Sequence, residues 1–303
     1  MFDEKKNIVI CSIPGKLKNQ YLLKNEKQYI IDIAAVGDTV KFKKNKDGTG
    51  VIVSIEERIN YFSRKAPRIK GASYRGERLE QIISANIDNL VVITSVQKPN
   101  FNNKLLDRII VAGESSHINI TIVINKSDLQ HNEEVSDWIK LYESLGYNIY
   151  LTSVVNGKGV KPLRENLSGR TNLFCGQSGV GKSSLLNLLY PQLKLKIGEI
   201  SDSTQKGTHT TVTALLEEVE DKTTVIDTPG IREFESYGIK KEDLGHYFVE
   251  FLPFINECKF NTCTHFHEPG CAVVSAVSEC KISEERYNSY LNLLDSIEDD
   301  MIF

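Results

Sequence analysis

The run GQSGVGKSS at residues 176–184 places Gly176, Gly181, Lys182 and Ser183 at the fixed positions of the pattern GxxxxGK[ST]. A glycine-rich turn lets several peptide N–H groups converge on one anion, and a helix starting at the lysine adds the positive end of its dipole. In such a loop Lys182 reaches the β- and γ-phosphates of a nucleotide while Ser183 ligates magnesium. Gln177, Ser178, Gly179 and Val180 supply the amides in between, and Ser184 a second hydroxyl. A glycine- and serine-rich surface turn is the rival reading. The flanks weigh against it, because RTNLF at 170–174 reads as a buried strand and KSSLLNLLY at 182–190 as a helix with leucines at helical spacing.

NKSD at 125–128 follows the apolar run ITIVI directly, which puts it at the carboxyl end of a sheet strand, where open α/β folds bind ligands. Guanine offers two N–H donors on one edge, and the Asp128 carboxylate can accept both; adenine presents no matching pair. A hydrogen bond to a charged group is worth about 1.5–3 kcal/mol, so the wrong base loses roughly 10- to 100-fold per bond. Asn125 would hold the loop and the other base edge, and the Lys126 stem would lie over the ring, with Ser127 between Lys126 and the carboxylate. TSVVNG at 152–157 can offer a backbone N–H to the base oxygen, with Val154 where alanine is usual; a plain strand-to-helix turn is its rival.

DTPG at 227–230 suits the metal and the γ-phosphate: Asp227 to orient water on magnesium, and the Gly230 N–H to meet the phosphate. KGTHTT at 206–211 offers Thr210 or Thr211 as the hydroxyl that senses the metal in the triphosphate state. A β-turn and a polar loop are the rival readings of these two stretches. Ile231 follows DTPG, where Ras-like enzymes place a water-orienting glutamine, so slow intrinsic hydrolysis is expected. His209 is the candidate to position the water, against a solvent-exposed loop histidine. The order is unusual. NKSD precedes the phosphate loop and DTPG closes the set, so the nucleotide domain reads as circularly permuted.

Six cysteines occur, and four of them, Cys258, Cys263, Cys271 and Cys280, fall in the last fifty or so residues. CKFNTCTHFHEPGC supplies Cys258, Cys263, His265 and Cys271, a donor set of the usual structural-zinc composition with no position left open for water. Disulfides and free thiols are the alternatives, and His267 competes with His265 as a ligand.

Alternating strand and helix patterns between about residues 82 and 235 must position these groups, with LVVITSV, ITIVI, NIYLT, RTNLF, VTALLEEV and TTVID as six strand candidates of a mostly parallel sheet. Before them, NIVICSI, YLLKN, QYIIDI, DTVKF and GVIVSIEER read as five short strands of a small barrel. Residues 1–75 carry 16 Lys/Arg against 8 Asp/Glu, a local charge of +8 in a chain of net −3, so the barrel is a candidate for phosphate backbone. Tyr61, Phe62, Arg64, Lys65 and Arg68 would suit a nucleic-acid groove or plug the barrel end. Residues 64–81 read as a basic linker. The chain closes on a helix capped by Ser283 with Tyr287, Tyr290, Leu291 and Leu294 on one face. A composition 25% charged and 40% hydrophobic is that of an ordinary globular protein and does not indicate disorder, no apolar run approaches the roughly 20 residues a membrane span needs, and a cytoplasmic location is expected.

The permuted order NKSD, GQSGVGKSS, GTHTT, DTPG, with a β-barrel before it and a cysteine cluster after, resembles the ribosome-small-subunit-dependent GTPase A family (RsgA, also YjeQ or YloQ) over essentially the whole chain. The resemblance implies an OB-fold RNA-binding domain at 1–70, a circularly permuted α/β P-loop GTPase domain at 71–235, and a mostly helical zinc domain with a C-terminal helix at 236–303. It implies a magnesium-dependent GTPase that binds the small ribosomal subunit and its rRNA, acts late in that subunit's maturation, and hydrolyses GTP to GDP under its stimulation; a monomer is expected, since nothing in the sequence points beyond one. It also favours zinc on Cys258, Cys263, His265 and Cys271. An RNA chaperone with a structural nucleotide and a P-loop kinase are the alternatives.

Overall fold

A computed structural model describes residues 1, 3, 7–17, 19, 33–66, 79–130, 133–196, 214–228 and 234–297. The chain divides into two compact units, Met1–Ile87 and Asp88–Phe303.

The first unit holds β1 (Cys11–Ser12), β2 (Val40–Lys44), β3 (Gly50–Ile55), β4 (Tyr61–Lys65) and β5 (Glu80–Ala85). They form a three-stranded sheet in the order β1-β3-β2 and a separate antiparallel pair β4-β5. The β2-β3 connection is a tight turn in which Asp47 accepts from the Thr49 N–H at 3.0 Å and Gly48 takes the left-handed φ of +85° that glycine tolerates. Arg58, just after β3, ties that end of the chain to the segment before β2, with Nε 2.7 Å from Asp38 Oδ1 and Nη2 donating to the Ile33 carbonyl at 2.8 Å.

A closed five-stranded barrel is not among the described residues. YLLKN and most of QYIIDI lie outside them, and NIVICSI contributes only β1. Residues 64–81, linker-like in composition, instead give Arg64 and Lys65 to β4 and Glu80 and Gln81 to β5. The pairing is made by polar partners, Ser63 to Glu80 at 2.8 Å and Arg64 to Gln81 at 3.0 Å, which an apolar alternation test does not register.

The second unit runs β6 (Asn89–Ser95), α1 (Asn103–Ser115), β7 (Asn119–Asn125), α2 (Glu133–Ser144), β8 (Asn148–Leu151), α3 (Val160–Leu167), β9 (Thr171–Gly176), α4 (Lys182–Leu189), β10 (Leu215–Glu220) and β11 (Thr223–Asp227). Six strands form one sheet in the order β10-β11-β9-β6-β7-β8, parallel except for β10 against β11. Helix crossovers cover both faces, so β6 is buried at every position and reads as a continuous apolar run. Helices begin where caps allow: the Asn102 side chain accepts from the Leu105 N–H at 3.1 Å, and Glu133 and Glu134 occupy the first turn of α2.

Beyond β11 the pattern changes to 3₁₀ turns at Leu244–Tyr247 and Val249–Phe251, then α5 (Leu252–Ile255), α6 (Ala272–Ser278) and α7 (Glu284–Ser296). Ser283 caps α7 through the Arg286 N–H at 3.3 Å, and Tyr290 packs edge-on to Phe248 with ring centroids 5.2 Å apart. The buried face of α7 is Arg286, Ser289, Tyr290, Leu293 and Leu294, with Tyr287 and Leu291 at its margin.

Candidate functional site

Because β7, β9 and β11 run parallel, their carboxyl ends open on the same edge of the sheet. Asn125 pairs with Ser95, Gly176 with Ile93, and Asp227 with Phe174, so three stretches far apart in sequence arrive together. This edge collects the nucleotide-binding candidates that lie within the described residues.

The phosphate loop needs its glycines for space. A Cβ on Gly176 would sit 2.5 Å from the Ile93 carbonyl oxygen, and one on Gly181 would sit 2.5 Å from Asn125 Nδ2, with Gly181 at φ +94°. No side chain caps α4 at Gly181, which leaves the first N–H groups of the helix to a ligand. Lys182 is buried at the start of α4, and its ammonium donates to the Asp227 carboxylate and to the Thr228 carbonyl. Thr228 is itself fixed by its hydroxyl, which donates to the Phe174 carbonyl at 2.8 Å. Ser183 and Ser184 stand half-buried on the first turn of α4, and Gln177 and Ser178 line the turn before it.

Asn125 joins the loops. Its Nδ2 donates to the Val180 carbonyl at 2.9 Å, and its Oδ1 accepts the Thr152 hydroxyl at 3.1 Å, so one 1% exposed side chain bolts NKSD to the phosphate loop and to TSVVNG. Lys126 adopts a left-handed φ of 60° and spans the same gap, its ammonium donating to the Gly179 carbonyl at 2.7 Å and to the Lys98 carbonyl. Burial, and then the neighbouring Lys98 charge, hold the Lys126 ammonium below its ordinary pKa. Asp128 is exposed and aimed, with Oδ1 accepting the Ser153 hydroxyl at 2.5 Å. Ser127 Oγ is buried with no hydrogen-bond partner among the described residues, an unspent donor and acceptor within the motif. An exposed carboxylate, a helix start that no side chain caps among the described residues, and a fixed lysine suit a guanine nucleotide, and Ser183 and Asp227 stand where they could hold its magnesium. His209, Thr210, Thr211, Gly230 and Ile231 lie outside the described residues.

The second cluster is in the C-terminal segment. The ligand atoms of Cys258, Cys263, His265 and Cys271 all lie within 4.8 Å of one another. Cys258 Sγ is 3.6 Å from His265 Nδ1 and 3.9 Å from Cys271 Sγ, and Cys271 Sγ is 3.4 Å from the same nitrogen. Metal–ligand lengths of about 2.3 Å to sulfur and 2.0–2.1 Å to nitrogen put tetrahedral ligand atoms roughly 3.5–3.8 Å apart, so these residues can hold one ion. Burial pushes the Cys263 and Cys271 thiols up, so thiolates here require a cation beside them. His267 and Cys280 are exposed and outside the cluster.

Sequence reasoning missed what holds the histidine. Glu268 accepts the Thr264 and Phe266 N–H groups at 2.8 and 3.0 Å, and Tyr287 and Tyr290 of α7 donate to the His265 and Thr264 carbonyls at 2.8 and 2.6 Å. Only the E-P-G turn composition hinted at such a loop. The Thr152 and Ser153 hydroxyls were also unmarked, since their partners are more than twenty residues away.

Residues 55–237 match the RsgA GTPase family. A small ribosomal subunit biogenesis GTPase RsgA from Chlorobaculum parvum is 44% identical over 88% of this chain and 86% of its own length. The RsgA 2 protein of the same description from Bacteroides thetaiotaomicron is 37% identical over 95% and 91%. Among solved structures, YjeQ from Thermotoga maritima superposes with a TM-score of 0.72 at 32% identity, covering 97% of this chain and 91% of that one. YloQ, described as a circularly permuted GTPase, superposes with a TM-score of 0.65 at 29% identity, covering 97% and 88%.

Proposed function

This chain belongs to the RsgA GTPase family and is a GTPase, and on that premise we propose that it acts in biogenesis of the small ribosomal subunit, hydrolysing GTP to GDP under that subunit's stimulation. The observation that carries the nucleotide reading is the Asn125 side chain, which links three loops of a permuted chain into one cradle. In this reading Asp128 takes the paired donors of guanine, and Lys126 covers the ring. The amides from Gly176 to Val180 and the start of α4 surround the phosphates. Lys182 leaves its internal partners, Asp227 and the Thr228 carbonyl, for the β- and γ-phosphates, and the released Asp227 carboxylate would orient water on a bound magnesium ion. Ser183 would be among the ligands of a bound magnesium ion, which would supply charge neutralisation at the phosphates. Thr210 or Thr211 and the Gly230 N–H respond to the γ-phosphate.

His209 aligns the attacking water, since Ile231 can neither donate nor accept a hydrogen bond. The basic first unit, read as an OB-type barrel, and the C-terminal segment, read as a zinc domain, dock a cytoplasmic monomer on ribosomal RNA. The charge of +8 over residues 1–75 and the Cys₃His cluster support that reading. Turnover of GTP by the purified chain with and without isolated small subunits tests it. The subunit should raise kcat by orders of magnitude, and His209→Ala should abolish most of that rise with GDP affinity intact. Unchanged turnover in the presence of subunits contradicts the proposal and favours a chaperone with a structural nucleotide.

A further inference from the structure

A buried charge network ties the C-terminal helix to the helix beside the base-recognition loop, and neither the nucleotide motifs nor the metal cluster requires it. Arg286, in the first turn of α7, is 0% exposed. Its Nε donates to Glu250 Oε1 at 2.6 Å, its Nη2 to Glu250 Oε2 at 3.3 Å, and its Nη1 to Asp107 on α1. Asp107 is equally buried; its Oδ1 also accepts the Tyr142 hydroxyl from α2 at 2.7 Å, and its Oδ2 has no partner among the described residues. Burial by itself disfavours the guanidinium charge, but Asp107 and Glu250 outweigh it and hold Arg286 above its usual range. One cation thus serves two carboxylates with a carboxylate oxygen to spare. Such a group adds little net stability over apolar packing, but it couples the placement of the elements it joins, since separating them would leave a buried charge unpaired.

That placement reaches the base loop through α1. Asn103, at the start of the same helix, donates to Ser289 of α7 at 3.4 Å, and Asn102 caps the helix. The chain just before the cap is held by the Ser95 hydroxyl, which donates to the Pro99 carbonyl at 2.8 Å. The neighbouring Lys98 carbonyl receives the Lys126 ammonium, which the Gly179 carbonyl shares.

We propose that Arg286 is a positioning residue for guanine recognition: by pinning α1 through Asp107 it fixes the Lys98 carbonyl, and so holds the Lys126 stem where the base stacks. This rests on the reading of NKSD as the guanine loop. Removing the arginine leaves the phosphate loop's amides in place and loosens only the base end of the site. Loss of order at α1 costs guanine affinity and spares phosphate affinity.

The test is calorimetric titration of the full chain with GDP and with inorganic pyrophosphate, the latter meeting only the phosphate loop, after circular dichroism confirms native helix content. Arg286→Lys keeps the charge and loses the fork between Asp107 and Glu250. GDP should bind it roughly three- to thirtyfold more weakly, and pyrophosphate should shift by less than about twofold. Arg286→Met should show a larger split of the same kind. If it does not fold, Asp107→Asn, which keeps the shape and removes the charge, carries the same comparison. Folded variants that bind GDP as well as the unaltered protein, or that lose both ligands equally, overturn the inference. An unaltered protein that does not prefer GDP to ADP overturns the underlying guanine reading, and the positioning role with it.

Discussion

Asp128 and Glu268 show how differently two carboxylates of this chain are used. Asp128 is exposed, and among the described residues it accepts one hydrogen bond, from Ser153, so acceptor capacity remains on its carboxylate. Glu268 spends both oxygens on its own loop. Burial raises its pKa, but hydrogen bonds from the Thr264 hydroxyl and from the Thr264 and Phe266 N–H groups outweigh that and bring it to about 2. A depressed carboxylate pKa means stabilisation that is present above the ordinary range near 4 and lost as pH falls through about 2. Glu268→Gln should therefore destabilise the protein at pH 7 by roughly 1–3 kcal/mol in denaturant unfolding, with the gap to the unaltered protein closing under acid. A gap that does not depend on pH contradicts this account. Residues within a local motif were legible in the sequence: Lys182, Asp128 and the glycines carry their spacing with them. Arg286 was not, because a charged residue in a helix reads as a solvent-facing one, and only the arrival of Asp107 and Glu250 explains its burial.

At the scale of elements, the candidate metal-binding segment is a short loop between α5 and α6, fastened by Tyr287 and Tyr290 of α7. Cys271 is the N-cap of α6 and also a member of the cluster, its sulfur 3.5 Å from the Val274 N–H, so a bound ion and the start of the helix would share one atom. The cluster lies among Phe248, Phe251 and Tyr290, a core of few elements that an ion would complete. The expectation for the purified protein is about one equivalent of zinc, lost in Cys263→Ser together with helical signal from α6. Elemental analysis and circular dichroism before and after chelation check it, and a metal-free protein of unchanged helix content contradicts it. The C-terminal helix, its Ser283 cap and the Tyr290 face were legible because capping and periodicity are local. The strands β4 and β5 were not: they pair through Ser63, Glu80, Arg64 and Gln81 across a basic, glycine-containing stretch, and composition alone reads that stretch as linker.

For the whole molecule, what matters is that strand order in the sheet and strand order in the chain differ. β9, which carries the phosphate loop, lies between β11 and β6, so the last strand of the nucleotide unit and the first flank it. Moving the chain ends leaves the ligand edge intact, because the parallel strands deliver Asn125, Gly176 and Asp227 to the same side whatever loop joins them. That arrangement was legible from motif order. What the sequence could not supply was the fastening between motifs, the Asn125 bonds to Val180 and Thr152 and the Lys126 bond to Gly179, since their partners follow only from the sheet. The central claim is that these fastened loops form a single guanine-nucleotide site. Calorimetric titration with GDP, ADP and XDP, on the unaltered chain and on Asp128→Asn, tests it most directly. The account predicts GDP preferred over ADP by at least roughly 100-fold, and a shift of preference towards XDP in the variant; equal binding of GDP and ADP, or a variant that keeps its preference for GDP, contradicts it.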